Sequence, residues 1–260
     1  MNLNNETRRV FLKKITTVSV ASSIIPSMFS ASNETAFKKN KNEKGLVFLF
    51  QGDSITGGNR GRNGDPNLIM GHGYAFTIAS QLGCDFPDKN LTFINRGVSG
   101  NTVIDLEKRW KEDTLDLKPD VLSILVGIND SSSALKAHPS SNAVTTQIYN
   151  DVYRSLLDQV IKQNPNIILV LNQPFAFQHN LATRDWEARF QDLSKRQQIV
   201  ENIALDYKAV LVRLQDVFNA ACSKAPAEYW IWDGIHPTVA GHELIAREWI
   251  GQVMKRLSFI

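Results

Sequence analysis

The chain is 260 residues long, 43% hydrophobic and 21% charged, with a formal net charge of +3. This is the composition of an ordinary globular protein with ample core, in one large domain or two small ones. The positive excess lies in residues 1–32; beyond them acidic and basic side chains balance, and the one short basic run is Lys38-Lys39-Asn40-Lys41. That balance gives no electrostatic case for a nucleic-acid partner.

In chain order, Thr7-Arg8-Arg9-Val10-Phe11-Leu12-Lys13-Lys14 precedes a mildly apolar segment, Ile15 to Ile25, and small residues around Ser30-Ala31-Ser32. A charged start, a short apolar core and a small-residue cleavage site read as a secretory signal over 1–32. The paired arginines resemble a bacterial twin-arginine leader, which exports folded proteins to the periplasm or the medium. A disordered basic arm is the alternative. The apolar core is shorter than the ~20 residues of a spanning helix, and no second such stretch follows, so the mature chain is expected not to enter a membrane stably. Residues 33–44 read as a linker, and 45–260 as one domain without internal repeats.

From residue 45, short apolar runs alternate with helical patterns. Leu46 to Phe50 reads as a strand buried on both faces, ending at Gly52-Asp53-Ser54. Leu91 to Asn95 is a second strand, followed by a helix over Thr102–Trp110. Asp120 to Val126 is a third, and Ile148, Val152, Leu156 and Val160 then place an apolar stripe on a helix. Asn166 to Leu171 is a fourth strand, Trp186 to Tyr207 a long helix, Ala209 to Leu214 a fifth strand, and Val239 to Leu257 a closing helix. The inward residues there are Leu244, Ile245, Trp249, Val253 and Leu257. Such alternation predicts an α/β protein with a parallel sheet covered on both faces.

The chemistry gathers at the predicted strand ends, where open parallel sheets bind ligands. Ser54 follows the first strand as a turn residue or a nucleophile. After the second come Asn95-Arg96-Gly97-Val98-Ser99-Gly100-Asn101-Thr102, where Gly97 lets a backbone N–H approach a ligand, or the segment simply enters a helix. After the third come Gly127-Ile128-Asn129-Asp130, with Asn129 an amide donor or a turn former. Near the end, Trp232-Asp233-Gly234-Ile235-His236-Pro237 sets an Asp three residues before a His. Asp233 can hold the imidazole through Nδ1 and leave Nε2 free to take a proton, or the pair is purely structural. Cys84 and Cys222 do not make a disulfide framework, and whether they are bridged stays open. His72, His138, His179, His236 and His242 are scattered, and no metal is assigned.

Taken together and in order, Gly-Asp-Ser, the glycine loop, Gly-x-Asn-Asp and Asp-x-x-His resemble the SGNH, or GDSL, hydrolase family over roughly residues 46–257. The resemblance implies a three-layer, flavodoxin-like α/β/α sandwich with a five-stranded parallel sheet, and no metal or organic cofactor. It implies Ser54 as nucleophile, His236 as general base and acid, and Asp233 as its orienter. The oxyanion hole would combine the N–H groups of Ser54 and Gly97 with the Asn129 amide. Ile55 stands where the family name has Leu, and Gly57-Gly58-Asn59-Arg60 follows, which touches the acyl-pocket wall rather than the catalytic residues. The segment Arg96 to Thr102, Trp110 and the ending from Tyr229 to Trp249 look like the branch of carbohydrate acetylesterases acting on xylan-type substrates.

The expected function is therefore that of a secreted serine esterase deacetylating a carbohydrate, with Trp230 and Trp232 beside the Asp–His loop able to stack on sugar. Alternatives are a lipase-like or thioesterase enzyme with a longer acyl pocket, and a non-catalytic carbohydrate-binding module. Polar flanks, Gly57 to Arg62 and Ser131-Ser132-Ser133, favour a small acyl group, while the loops Ser131 to Thr146 and Pro174 to Arg184 could shape the pocket. The partner is a small ester or an acetylated carbohydrate, and the oligomeric state is not legible.

Overall fold

A computed structural model describes residues 44–134, 143–178 and 186–257. The expected leader, all but the last residue of the linker, His138, His179 and the middle of both pocket-shaping loops lie outside them. Five strands, β1 (Val47–Gly52), β2 (Thr92–Asn95), β3 (Val121–Leu125), β4 (Ile168–Asn172) and β5 (Val210–Val212), form one parallel sheet in the order β2-β1-β3-β4-β5. The helices are α1 (Ser54–Gly57), α2 (Tyr74–Asp85), α3 (Val103–Lys108), α4 (Trp110–Asp113), α5 (Ile128–Ala134), α6 (Thr146–Gln163), α7 (Trp186–Asp206), α8 (Leu214–Ala221), α9 (Ala227–Trp230) and α10 (Val239–Val253).

The continuous apolar runs follow from burial on both faces. In β1 all six residues are buried, and the pleat sends neighbours in opposite directions. Phe48 and Phe50 join Tyr74, Ile78, Phe218, Ile245 and Trp249 under α2, α8 and α10. Leu49 joins Val103, Trp110, Tyr153, Leu157 and Val200 under α3, α4, α6 and α7. Ser123, a polar residue inside β3, is satisfied in the core by the Trp249 Nε1–H and the Asn172 amide, each donating at 2.9 Å.

Several elements differ from the sequence expectation. The helix expected over 102–110 is broken at Arg109, whose backbone leaves helical geometry (φ −117°, ψ 11°), and resumes as α4. The guanidinium of Arg109 reaches Gln51, Arg96 and Gly52 instead. On α6 the buried face runs through Tyr149, Tyr153, Leu156, Leu157 and Val160, while Ile148 is exposed. Tyr149 and Tyr153, outside the expected stripe, are core residues there, and Tyr149 donates its hydroxyl to the Val126 carbonyl at 2.9 Å. The fifth strand stops at Val212 because Leu214 begins α8, and α10 ends at Val253, with Leu257 still buried beyond a 3-10 turn. Helix α2 is an addition to the expected elements, its buried face carried by Tyr74, Ile78 and Leu82 at intervals of four.

The strand order reverses direction between β1 and β3, since the chain passes from β1 out to β2 and returns to β3 on the far side. Ligand crevices in open α/β sheets lie at such a point, off the carboxyl ends. Ser54 follows β1 and Asn129 follows β3.

Candidate active site

β1 ends where Gly52 adopts φ +153°, and a Cβ there would sit 2.2 Å from the Leu125 carbonyl oxygen. Only glycine lets β1 and β3 close so tightly at the edge. Asp53 then caps α1, its Oδ1 accepting the Ile55 N–H at 3.0 Å. This places Ser54 at the first position of the helix, where its own N–H has no intrahelical acceptor.

The loop between α9 and α10 delivers the second group. Asp233 Oδ1 accepts the N–H groups of Ile235 (2.9 Å) and His236 (2.7 Å), so the carboxylate folds the loop around itself. Its Oδ2 lies 2.6 Å from His236 Nδ1, and His236 Nε2 lies 2.9 Å from Ser54 Oγ. Burial raises the Asp233 pKa, but the hydrogen bonds from His236 and Ile235 outweigh it and leave the carboxyl below its ordinary range. With Asp233 ionised, Nδ1 carries the ring proton and Nε2 presents a lone pair to the hydroxyl. That arrangement can take the serine proton as the hydroxyl attacks an electrophile.

Asn129, at the start of α5, points its amide toward the same edge. Nδ2 donates to the Asn101 carbonyl at 3.2 Å and to Asp53 Oδ2 at 3.4 Å, both long contacts. Gly97 lies against α1, its backbone close to Gly57, and its N–H donates to Asn95 Oδ1 at 2.9 Å. The structure thus brings Ser54, Asp233 and His236 into one hydrogen-bonded line with Asn129 alongside, while the Gly97 N–H is held by Asn95. Asn95 also donates to the carbonyls of Thr56 (2.7 Å) and Met70 (2.9 Å), pinning α1 to β2.

Two buried carboxyls were not singled out from sequence. Desolvation raises Asp53 to about 7 and Asp130 to about 6, despite the backbone N–H that each accepts. Asp130 Oδ1 takes the Val103 N–H at 2.9 Å and ties the β3–α5 turn to the start of α3. His242, the other histidine near the site, is buried; its Nδ1 accepts the Tyr74 N–H at 3.1 Å. Asp53 and Asp130 belong to the Gly-Asp-Ser and Gly-x-Asn-Asp patterns, but their burial, like that of His242, is set by tertiary packing.

Of the aromatic residues flagged beside the loop, Trp232 is exposed and stacks on His236, with centroids 6.2 Å apart and planes at 25°. Trp230 is part of the core margin, its Nε1–H donating to the Ala225 carbonyl. The serines expected as a polar flank bond back to backbone carbonyls: Ser131 to Arg189, Ser132 to Ile128 and Ser133 to Asp130. Cys84 and Cys222 are free thiols. Among the described residues no cluster of three or more His, Cys, Asp or Glu could hold a metal, and no helix is long and apolar enough to cross a membrane.

Residues 50–244 match the model of the GDSL-like lipase/acylhydrolase family. An acetylxylan esterase of Geobacillus stearothermophilus is 32% identical over 213 residues, which cover 80% of this chain and 94% of the relative. The crystal structure of that organism's acetylxylan esterase Axe2 superposes with a TM-score of 0.70 at 31% identity, covering 81% of this chain and 94% of Axe2. A GDSL-like lipase of Parabacteroides merdae superposes with a TM-score of 0.75 at 34% identity, covering 82% and 97%. Catalytic mutants of Axe2 have been solved in which a serine, an aspartate or a histidine is replaced by alanine. With a family model spanning most of its length and relatives matched nearly end to end, this chain belongs to the GDSL-like lipase/acylhydrolase family and is a carboxylic ester hydrolase.

Proposed function

We propose that the protein is an exported serine esterase that removes acetyl groups from a xylan-type glycan, with Ser54, His236 and Asp233 as its catalytic triad. The observation that carries this reading is the continuous line Ser54 Oγ–His236 Nε2 (2.9 Å) and His236 Nδ1–Asp233 Oδ2 (2.6 Å). The acetylxylan esterase relative and the mutated serine, aspartate and histidine of Axe2 support it.

Ser54 Oγ attacks the acetyl carbonyl carbon while its proton passes to His236 Nε2. Asp233 holds the Nδ1 proton and stabilises the imidazolium without taking that proton itself. The carbonyl oxygen becomes an oxyanion, met by the Ser54 N–H and the Asn129 amide. The Gly97 N–H joins them by sharing its hydrogen bond with Asn95 Oδ1 or leaving it. The long contacts of Asn129 leave that donor weakly committed, and such bonds tighten toward the transition state. Collapse expels the sugar oxygen, which takes the proton from Nε2 and leaves an acetyl ester on Ser54. Water then attacks that ester, giving its proton to Nε2; acetate departs and Ser54 Oγ recovers its proton.

Exposed Trp232, lying over His236, offers an aromatic face to a sugar ring at the reacting ester. A long acyl chain gains roughly 0.8 kcal/mol per methylene only where it is buried, and Ser54 is flanked by Gly57, Gly58, Asn59 and Arg60. The test is a fluorophosphonate probe together with a series of nitrophenyl esters. One adduct mapping to Ser54, kcat/KM falling from acetyl to butyryl to octanoyl, and acetate release from acetylated xylan are expected. Labelling of another serine, or full activity in Ser54→Ala, refutes the triad. Rising efficiency toward octanoyl with no acetate from any glycan refutes the substrate assignment in favour of a lipase-like enzyme.

A further inference from the structure

A cleft of about 600 Å3 opens beside β2, lined among others by Arg60, Arg62, Arg96, Asp113, Phe93 and Ile69. Asn95 also lines it, the residue whose side chain holds the Gly97 N–H and pins α1. Asn95 therefore links the lining of the cleft to α1, the helix that begins at Ser54.

Its charge is out of balance. Asp113, the one acid in the lining, is bound at Oδ2 by Arg109 at 3.0 Å and faced at Oδ1 by Arg96 Nε at 3.4 Å. Arg109 is spent on structure, since it also donates to Gln51, Arg96 and Gly52. Among the described residues Arg60 donates only Nε, to the Gly97 carbonyl at 2.9 Å, and its terminal nitrogens meet no partner there. Arg62 is exposed with no acidic partner among the described residues, and Arg96 Nε is buried without a hydrogen bond. Burial first, then the neighbouring Arg62 and Arg96, bring Arg60 down to about 10. Three arginines thus line one space against a single aspartate that Arg96 and Arg109 already share, and an anion among them would relieve the excess positive charge through charge-assisted, two-pronged hydrogen bonds.

The remaining lining says which anion. Phe93 and Ile69 are apolar, and a bare inorganic ion has nothing to set against them. A sugar ring with a carboxylate does: its C–H face covers the ring of Phe93 while its carboxylate meets the arginines. We infer that this cleft is a subsite for an acidic sugar, a uronic acid carried by the same glycan whose acetyl ester enters at Ser54. The inference rests on the glycan-esterase reading for the role of the sugar, and on the cleft alone for its binding.

The full chain is titrated by NMR with glucuronate, glucose and inorganic phosphate. Glucuronate is expected to bind saturably where glucose at equal concentration does not, more weakly at high salt, and at least tenfold more weakly to Arg62→Gln. Arg62 is exposed, so this variant keeps the fold; Arg96→Gln is the second variant, read by the same titration. Glucuronate binding no better than glucose, or indifferent to both substitutions, overturns the inference. Phosphate binding more tightly than glucuronate overturns it in favour of a phosphorylated ligand.

A second arm compares acetylated xylo-oligosaccharides with and without a uronic-acid branch. The branched substrate should be preferred about tenfold in kcat/KM, and Arg62→Gln should bring the ratio near one. An unchanged ratio in that variant counts against the subsite. Glucuronate binding without acetate release from any glycan upholds the cleft and sinks the esterase reading alone.

Discussion

Asp233 engages its loop three times, through two backbone N–H groups and the imidazole, so the residue that orients His236 also folds the segment carrying it. Asn129 is held far more loosely, at 3.2 and 3.4 Å. Its amide has more to gain as charge builds on the ester oxygen, and Asn129→Ala should lower kcat by about 10²–10³ with little change in KM. Steady-state kinetics on nitrophenyl acetate check this; a raised KM at unchanged kcat would make Asn129 a ground-state contact. His242 works in the opposite sense. Burial, then His72 and His236, lower its pKa to about 4, so the folded protein refuses a proton that the unfolded chain accepts near 6.5. Below that pH the unfolded state binds more protons, and stability falls as pH drops from about 6.5 to 4. The loss from this group is on the order of 3 kcal/mol. In His242→Gln that part of the acid loss should vanish, measured as a smaller drop in Tm between pH 7 and 4 than in the parent.

Among elements, the turn from β1 into α1 depends on the loop after β2. A Cβ on Gly97 would lie 2.3 Å from the Gly57 nitrogen and 2.8 Å from the Thr56 carbonyl carbon. Backbone cannot move aside as a flexible side chain can, so Gly97→Ala should push α1, and Ser54 with it, away from His236. A cost of about 1–3 kcal/mol in stability and at least a tenfold loss in kcat are expected, read by denaturant unfolding and nitrophenyl acetate kinetics. The strands were legible because a parallel strand buried on both faces must be apolar throughout, as Leu46 to Phe50 and Asp120 to Val126 nearly are. Helix α6 was legible as a helix but not in its rotation. Counting aliphatic residues marks Ile148 and Val152, whereas Tyr149 and Tyr153 fill the core once their rings are seen packed edge to face at 5.6 Å. Ser54, Asp233 and His236 stand in short patterns at element ends and could be read; Asp53 and Asp130 stand in two of the same patterns, but their burial, like the contacts of Arg60, depends on tertiary neighbours that no local pattern records.

For the molecule as a whole, the described residues carry the sheet and the site, and the proposed export rests on the leader expected over residues 1–32. Arg8→Lys with Arg9→Lys should hold the precursor inside the cell, followed by fractionation and immunodetection; unimpaired export of the double variant would rule out the twin-arginine route. The strand order places the carboxyl ends of β1, β2 and β3 side by side, so residues distant in sequence share one rim without any long excursion of the chain. Ser54 and His236 are nevertheless 182 positions apart. During refolding that hydroxyl meets its imidazole only after α10 docks beside β1, one of the costliest chain closures the fold requires. Return of hydrolysis is therefore a clock for the final closure, and it should lag the far-UV signal of the helices, which form from neighbours in sequence.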